Sequence, residues 1–291
     1  FDIDFVKATY QELVEELGLK DAWEFDRLLN WFKDDKIEIV GDKYVGNEYI
    51  RFSHPSYSQS LKHILVGEDG YISQINKKIF SNLLLKLAEK DKAAWDVAKT
   101  VEYNFDRLPE EMRNKLLLKL VEKEEVAWNV ARVVAYNFNK IPEEVKNELL
   151  LKLAEKEGTA RDVARVVADN FNEIPEEVRN ELLLKLSEND KAAWIVAWTV
   201  VDIFNNLPGE VRNKLLLKLS EKEEAARIVA CVVYYNFNKI LGEVRNELLL
   251  KLSENDKAAG IVARIVRDNF NEIPEEVRKR LPEKVKKRLT N

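Results

Sequence analysis

The sequence is poor in the residues that build metal sites, disulfides and loop-rich folds. Its 291 residues include one cysteine, Cys231, and two histidines, His54 and His63. No disulfide can form within such a chain, and a tetrahedral Cys/His zinc site cannot be assembled from it. Nine glycines and seven prolines are too few for an all-β protein of this length. No apolar run approaches the roughly 20 residues of a membrane span, so we expect no membrane partner.

Charges of the two signs nearly balance. The chain has 47 Lys and Arg against 52 Asp and Glu, a formal net charge of −5. This balance gives no general attraction to nucleic acids or anionic lipids. The whole excess lies in residues 1–80, which contain 10 basic and 15 acidic residues and leave 37 of each in residues 81–291. At 46% hydrophobic residues, the chain has enough apolar side chains for a packed core.

A 33-residue repeat dominates residues 81–291. The block Leu-Leu-Leu-Lys-Leu occurs six times, beginning at Leu83, Leu116, Leu149, Leu182, Leu215 and Leu248. Six copies at a fixed period predict stacked units, because one unit cannot bury its apolar face alone. A first helix is predicted to begin at Pro-Glu-Glu, as at Pro142, with proline at the first helical position. Its apolar face is formed by Val145, Leu149, Leu150 and Leu153.

The second helix of each unit is marked by small apolar residues. In one copy it is predicted from about Glu124 to Asn139. Its core stripe at 3.6-residue periodicity is formed by Ala127, Val130, Ala131, Val134, Phe138 and Ile141. Two helices and short loops in 33 residues match an α-solenoid. Ankyrin and tetratricopeptide repeats have similar periods, but their signature residues are absent, and the units are more similar to short HEAT-type repeats.

We therefore predict a mainly α protein. A right-handed α-solenoid of six HEAT-like two-helix repeats is expected over residues 81–291, after a separate domain over residues 1–80. The tail from Lys279 to Arg288 holds six basic residues and one acidic residue. It is interpreted as a polar cap that closes the solenoid, with a polyanion site as the alternative.

Comparison of the six copies separates core positions from one variable side of the second helix. The columns that begin at Trp95, Lys99, Glu102 and Tyr103 change freely, and their offsets of 0, 4, 7 and 8 place them together. We call these four columns the variable stripe. Trp, Tyr and Arg, which dominate binding hot spots, are frequent in it. We predict a groove that recognises a protein partner; the alternative is packing of the tryptophans against adjacent repeats. The predicted partner-binding residues are Trp95, Lys99, Tyr103, Trp128, Arg132, Tyr136, Arg161, Arg165, Trp194, Trp198, Arg227, Tyr234, Arg264 and Arg267.

The remaining polar groups indicate structure rather than catalysis. Paired acids such as Glu110 and Glu111 recur at helix starts, where they favour the helix dipole. The column of Asn104 is interpreted as a hydrogen-bond ladder to the following turn, and a reactive thiol at Cys231 is the minor alternative to a plain surface residue. The sequence offers no nucleophile–base pair. We therefore predict no enzymatic activity and no cofactor for this chain.

Residues 1–80 show helices followed by a hairpin. A helix is predicted from Asp4 to Leu17 and a second one is capped by Asp21. Strands are predicted from Lys36 to Val40 and from Tyr49 to Ser53, before a last helix from about Pro55 to Val66. This order is the winged-helix pattern. The helix at Asp21, which would enter a DNA groove, is acidic, so DNA binding is disfavoured.

One segment of this domain resembles a known superfamily. Its residues are Arg51-Phe52-Ser53-His54-Pro55-Ser56-Tyr57-Ser58-Gln59-Ser60-Leu61. They resemble the end of the winged-helix domain of STAND-class signalling ATPases, which include NACHT and NLR proteins, where a strand ends in Phe-x-His-x-Ser-aromatic. The resemblance implies that His54 senses bound ADP in the intact protein; a helix-capping or wing-packing histidine is the alternative. It also implies a cytoplasmic protein with an ATPase core before the winged helix and a sensor array after it.

The chain departs from that superfamily in one respect. Gly41 and Gly46 have the spacing of a phosphate-binding loop, but Asn47 and Glu48 follow instead of Lys-Ser/Thr. Because the chain starts at Phe1 rather than Met, we expect an upstream nucleotide-binding domain, to which ADP or ATP would be confined. The predicted function is the regulatory and sensing region of a prokaryotic-type STAND protein.

Two alternatives come from other functional classes. One is a nucleic-acid-binding helical repeat, and the other is a structural or engineered scaffold. The basic track of the first would be formed by Arg132, Arg161, Arg165, Arg227, Arg264 and Arg267.

Overall fold

A computed structural model describes residues 3–16, 24, 26–27, 37–41, 48–52, 82 and 84–289. The chain divides into two compact units, Phe1–Ile141 and Pro142–Asn291. The described residues of both units are mainly helical, which confirms the predicted fold class at this level. The domain boundary predicted at residue 80 lies outside the described residues and stays a prediction.

The N-terminal part of the first unit contains a helix and a β-hairpin. Helix α1 spans Ile3–Glu16, strand β1 spans Ile37–Gly41 and strand β2 spans Glu48–Phe52, each within one residue of its prediction. The strands are antiparallel, with Ile37 opposite Phe52 and Gly41 opposite Glu48. His54 and the helix predicted from Pro55 lie outside the described residues, as does most of the helix predicted after Asp21. The winged helix therefore stays a prediction.

Two repeats follow in the first unit. Residues 84–89 are helical, and helix α2 (Asp91–Asn104), helix α3 (Glu110–Leu120) and helix α4 (Ala127–Tyr136) come next. Short 3₁₀ turns occupy Phe105–Arg107, Glu124–Val126 and Phe138–Lys140. Helix α2 contacts both α3 and α4. The second helix predicted from Glu124 to Asn139 is thus an α-helix with a 3₁₀ turn at each end.

The second unit contains the remaining repeats as two layers of helices. The first helices are α5 (Glu143–Ala154), α7 (Glu176–Leu186), α9 (Gly209–Ser220) and α11 (Gly242–Glu254). The second helices are α6 (Ala160–Asp169), α8 (Asp190–Ile203), α10 (Glu223–Tyr235) and α12 (Asp256–Asp268). Corresponding helices of consecutive repeats contact each other, and so do the two helices of each repeat. This stacking is compatible with the predicted α-solenoid, whose handedness and HEAT-like character stay predictions.

The core of the repeats is the one that periodicity predicts. All six residues of the predicted second-helix stripe, from Ala127 to Ile141, are buried, as are Leu149, Leu150 and Leu153 on the first helix. Val145 is only half-buried. The predicted position of Pro142 is off by one residue, because its ψ of 143° is extended and the helix begins at Glu143. Its carbonyl accepts the N–H of Lys146 at 2.9 Å, so the proline flanks the first turn.

A recurring hydrogen bond ends five of the six second helices, whereas α8 has Ile203 at this position. The Asn side chains donate from Nδ2 to the carbonyl four residues earlier, as Asn137 does to Val133 at 3.1 Å. The same bond is made by Asn104, Asn170, Asn236 and Asn269. These bonds run back to carbonyls of the same helix and not to the following turn, so the predicted direction of the ladder is wrong.

In five repeats an arginine near the start of a helix stacks on the phenylalanine of the preceding turn, whereas helix α5 has Lys146 at the equivalent position. The Arg179 guanidinium lies 3.8 Å from the centre of the Phe171 ring and its Nη1 donates to the Phe171 carbonyl at 3.2 Å. The same stacking joins Arg113 to Phe105, Arg212 to Phe204, Arg245 to Phe237 and Arg278 to Phe270. A cation over an aromatic face is stabilising, so the pair fastens each turn to the next helix. Sequence reasoning missed this column.

Lysine–glutamate pairs join adjacent repeats. Lys185 Nζ lies 2.6 Å from Glu155 Oε1, 30 residues earlier. Equivalent pairs are Lys119–Glu89, Lys218–Glu188 and Lys251–Glu221. The hydrogen bond from lysine holds the pKa of each of these glutamates below its ordinary value. Four of the six Glu residues that follow the leucine blocks, which are Glu89, Glu155, Glu188 and Glu221, therefore mark a contact between repeats.

The basic tail packs on the last repeat. It forms helix α13 (Glu275–Arg280) and helix α14 (Glu283–Leu289), and α14 contacts α12. Val285 is buried, and Lys284 Nζ donates to the Glu254 carbonyl at 2.6 Å and lies 2.8 Å from Asp256 Oδ1. The tail therefore covers part of the last repeat, and its role as an end cap stays a prediction.

Candidate functional site

The variable stripe lies on the solvent side of the second helices. Every tryptophan of residues 84–289 belongs to it, and all four are exposed, by 53% at Trp95, 41% at Trp128, 36% at Trp194 and 53% at Trp198. Tryptophan is highly buried on average, so four exposed indoles in two columns are unusual. Packing against adjacent repeats leaves a large part of each ring in contact with solvent.

In the first unit the stripe forms a closed group of cations and aromatic rings. The distances from Lys99 Nζ to the ring centres are 5.8 Å for Trp95, 5.5 Å for Tyr103 and 5.2 Å for Trp128. Arg132 lies 5.1 Å from the ring of Trp128 and 5.9 Å from that of Tyr136. These are cation–π distances. We call this group, together with Glu102 and Asn129, the Lys99 cluster.

A carboxylate anchors the cluster from beneath. Glu102, whose side chain is 9% exposed, lies 3.0 Å from Lys99 Nζ and 2.9 Å from Arg132 Nη2. Buried Asn129 donates to it from Nδ2 at 3.2 Å. Burial raises the pKa of Glu102, but the hydrogen bonds from Lys99 and Asn129 and the charge of Arg132 outweigh it and hold this pKa below its ordinary value. The carboxylate is therefore ionised, and it neutralises part of the cationic surface.

Sequence reasoning missed the roles of two cluster members. Glu102 was recognised as variable but not as a binding residue, and Asn129 lies in a column next to the stripe. Their contacts connect residues 27 to 30 positions apart, as between Glu102 and Asn129 or Arg132. The one available signal in the sequence was a single acid in a column that otherwise contains Ala, Val, Tyr and Arg. Beside the cluster, a cavity of about 560 Å³ opens between the ends of α2 and α4, next to Tyr103 and Tyr136.

In the second unit the stripe contains an open apolar pocket between α8 and α10. Its volume is about 780 Å³. The walls are formed by Trp194, Trp198, Val201, Ile228, Cys231, Val232 and Tyr235, and the polar lining by Glu224, Arg227, Asn236 and Lys257. Lys257 Nζ donates to Glu224 Oε1 at 2.7 Å. We call this site the Trp198 pocket.

The predicted residues at the end of the repeats are engaged within the chain. The Arg264 guanidinium lies 4.7 Å from the Tyr234 ring, and Tyr234 donates to Asp268 Oδ2 at 3.0 Å. Arg267 donates from Nη2 to the Arg288 carbonyl at 2.6 Å. The structure thus uses Arg267 to hold the C-terminal helix. Gly260 stands in the Trp95 column, and an added Cβ would lie 2.6 Å from Nη1 at the end of the Arg288 side chain.

Two arginines on α6 remain available. Arg161 and Arg165 are exposed, and neither pairs with a carboxylate among the residues that the structure describes.

Of the fourteen predicted binding residues, the structure brings Trp95, Lys99, Tyr103, Trp128, Arg132 and Tyr136 together in the Lys99 cluster. It brings Trp194, Trp198 and Arg227 together at the Trp198 pocket.

Neither a family model, nor a curated protein, nor a solved structure gave a significant match to this chain. Function is therefore argued from the geometry of the stripe. Within the described residues, no helix has both the length and the apolar character to cross a membrane. The same residues contain no group of three or more His, Cys, Asp and Glu side chains placed to hold a metal ion.

Proposed function

We propose that this chain is a non-catalytic sensor region whose variable stripe binds a protein partner. The observation that carries the proposal is the exposure of all four tryptophans of residues 84–289 on the stripe. Exposed Trp, Tyr and Arg in contact with one another form the composition that protein interfaces favour and that other surfaces lack.

The charges of the stripe favour a protein over a nucleic acid. A basic track would need arginines free to meet phosphates. Arg132 instead pairs with Glu102, Arg264 lies 3.8 Å from Asp268, and Arg267 is bonded to the Arg288 carbonyl. Half of the six arginines of the predicted track are thus engaged within the chain. A mixed surface of neutralised cations and aromatic rings suits a protein ligand.

The proposed relay extends this function to residues 1–80. The resemblance of residues 51–61 to STAND-class ATPases suggests that occupancy of the stripe is transmitted through a winged helix to a nucleotide-binding domain. His54 would then sense ADP bound in that domain. The relay rests on the resemblance, whereas partner binding rests on the exposed stripe, so the two parts can be tested separately.

The test is retention of protein partners by the immobilised chain. We expect Trp128→Ala combined with Trp194→Ala and Trp198→Ala to reduce retention from nuclease-treated lysate at least about tenfold. A matched control removes Lys115 and Lys214, exposed side chains on α3 and α9, and should retain partners normally. Circular dichroism should show equal helicity in all three proteins. An identical retained set for the wild type and the triple tryptophan variant would overturn the proposal.

A further inference from the structure

The Trp198 pocket occupies the same place in repeats 4 and 5 as the Lys99 cluster in repeats 1 and 2. Equivalent residues are separated by 99 positions, three repeats along the sequence. Four polar members of the cluster have apolar or small counterparts in the pocket. Lys99 corresponds to Trp198, Glu102 to Val201, Asn129 to Ile228 and Arg132 to Cys231. The hydrogen-bonded polar side chains of the Lys99 cluster are thus replaced by the apolar walls of the Trp198 pocket.

The short side chain of Cys231 explains why a cavity opens here. Its column otherwise carries long or bulky residues, which are Lys99, Arg132, Arg165, Trp198 and Arg264. Arg132 reaches Glu102 across the gap between its helix and the preceding second helix. Cys231 cannot do so, and the space between Trp198 and Tyr235 stays open. Water in a cavity with such walls is displaced favourably by an apolar group.

The lining of the pocket has one charge that no described residue neutralises. Glu224 and Lys257 are bonded to each other at 2.7 Å. Arg227 is exposed and pairs with no carboxylate among the described residues. Because Arg227 lines the same cavity as Trp198 and Cys231, an apolar group bound there would have a free guanidinium beside it. Guanidinium and carboxylate are complementary in charge and in hydrogen-bond geometry.

The pocket is open, which favours a protein segment over an enclosed small molecule. Tyr235 is 80% exposed and Trp198 is 53% exposed, so the walls shield only part of an occupant. A volume near 780 Å³ is nevertheless in the range of well-formed binding sites. A side chain can enter between the rings while the chain that carries it stays at the surface.

We infer that the Trp198 pocket binds a segment of the protein partner that presents a large apolar side chain next to a carboxylate. The apolar side chain lies over Cys231 between Trp198 and Tyr235, and the carboxylate pairs with Arg227. This inference rests on the proposed function, since it names the chemistry of the partner that the stripe binds.

The experiment selects random dodecapeptides displayed on phage against the full wild-type chain, and the binding of the selected peptides to the Cys231→Arg variant is then measured. That variant restores the side chain of Arg132 and Arg264 in the same column. We expect the selected peptides to share an aromatic or large aliphatic residue adjacent to Asp or Glu. As synthetic peptides, they should bind Cys231→Arg at least about tenfold more weakly. Arg227→Gln should weaken binding about threefold, as for a partly exposed ion pair.

Two further variants keep the test decisive. Cys231→Ser leaves the cavity open and should bind like the wild type, while Trp198→Lys removes a wall and should bind like Cys231→Arg. Peptides that lack the apolar–acidic pair, or that bind wild type and Cys231→Arg equally, would overturn the assignment. If such peptides still lose binding on Trp128→Ala, protein recognition by the stripe stands and only the pocket assignment falls. If no stripe variant affects any selected peptide, both proposals fall.

Discussion

The Lys99 cluster and the Trp198 pocket are built on the same backbone and differ in what fills it. Asn137 and Asn236 have nearly the same φ and ψ, −122° and 25° against −123° and 25°. The phenylalanines that follow them, Phe138 and Phe237, are both buried. The repeat scaffold therefore does not depend on the residues of the stripe. In the Lys99 cluster, Glu102 pairs with Lys99 and Arg132. In the Trp198 pocket, an apolar cavity lies beside Arg227, which pairs with no described carboxylate.

This difference shows which positions are open to functional change. Core columns keep their identity because a change of one methylene alters a close-packed interior. Stripe residues face solvent and can exchange charge for apolar surface without disturbing the turn or the core. Two pairs of repeats can thus present quite different chemistry to a partner on equivalent helices.

The largest loss of stability that would distinguish the Lys99 cluster from the Trp198 pocket is expected for a substitution of Glu102. Glu102→Ala leaves Lys99 and Arg132 without their counter-charge and Asn129 without its acceptor. Removing one partner from a mostly buried ion pair is strongly destabilising, and we expect a loss of about 3 kcal/mol in the free energy of unfolding. Urea denaturation followed by circular dichroism measures it.

Val201→Ala is the matched control, because Val201 stands in the column of Glu102 and is 39% exposed. Its effect should be within about 0.5 kcal/mol. Similar losses for the two variants would show that the carboxylate does not hold the cluster together.

A second substitution tests the charge of Glu102 without changing the shape of its side chain, and its expected cost in the free energy of unfolding is smaller. Glu102→Gln keeps the size of the side chain and should cost about 1.5 kcal/mol at pH 7, because its hydrogen bonds lose their ionic partner. The folded-state pKa of Glu102 is lowered. Its ionised form therefore contributes stability that is full above the unfolded pKa of about 4.3 and is lost as the pH falls through the lower folded value.

The stability difference between wild type and Glu102→Gln should accordingly narrow between pH 5 and pH 3. Denaturation curves at several pH values measure this difference, and comparison with Glu102→Gln removes the contributions of the other glutamates. A difference that stays constant or widens toward pH 3 would contradict the assigned role of the carboxylate.

A transplant of the pocket into the first unit should have a still smaller effect. Lys99→Trp, Glu102→Val, Asn129→Ile and Arg132→Cys together give repeats 1 and 2 the residues of repeats 4 and 5 at these four positions. Replacing a whole buried ionic group with apolar residues is often neutral or stabilising, so we expect a change within about 1 kcal/mol. Urea denaturation checks it. A loss as large as that of Glu102→Ala would show that the two sites do not share a scaffold.

The repeats and their core were predictable because periodicity records burial directly. The positions of Ala127, Val130 and Val134 follow from a 3.6-residue period within one helix, and all three are buried as expected. The same period also predicted that the residues of the variable stripe lie together on one side of the second helix. Each of these properties depends on residues less than one repeat apart.

The contacts between repeats could not be predicted in this way. The bond from Asn129 to Glu102 joins residues 27 positions apart, and its existence depends on how far two side chains reach between helices. The stacking of Arg113 on Phe105 and the cavity above Cys231 have the same origin. Comparison of the repeat sequences shows which side chains vary, but it does not show which side chains contact each other between adjacent repeats.

The smallest expected effect tests whether the scaffold is the same in both regions. Lys119 pairs with Glu89 in repeats 1 and 2, and Lys218 pairs with Glu188 in repeats 4 and 5. Both pairs are exposed, so Lys119→Met and Lys218→Met should each cost about 0.5 kcal/mol in urea denaturation. Screening in 1 M NaCl should abolish both effects. Because neither pair contacts the stripe, equal losses are expected beside the cluster and beside the pocket. Unequal losses that persist in salt would mean that the stripe chemistry alters the packing between repeats, and the two sites would no longer be alternatives on one backbone.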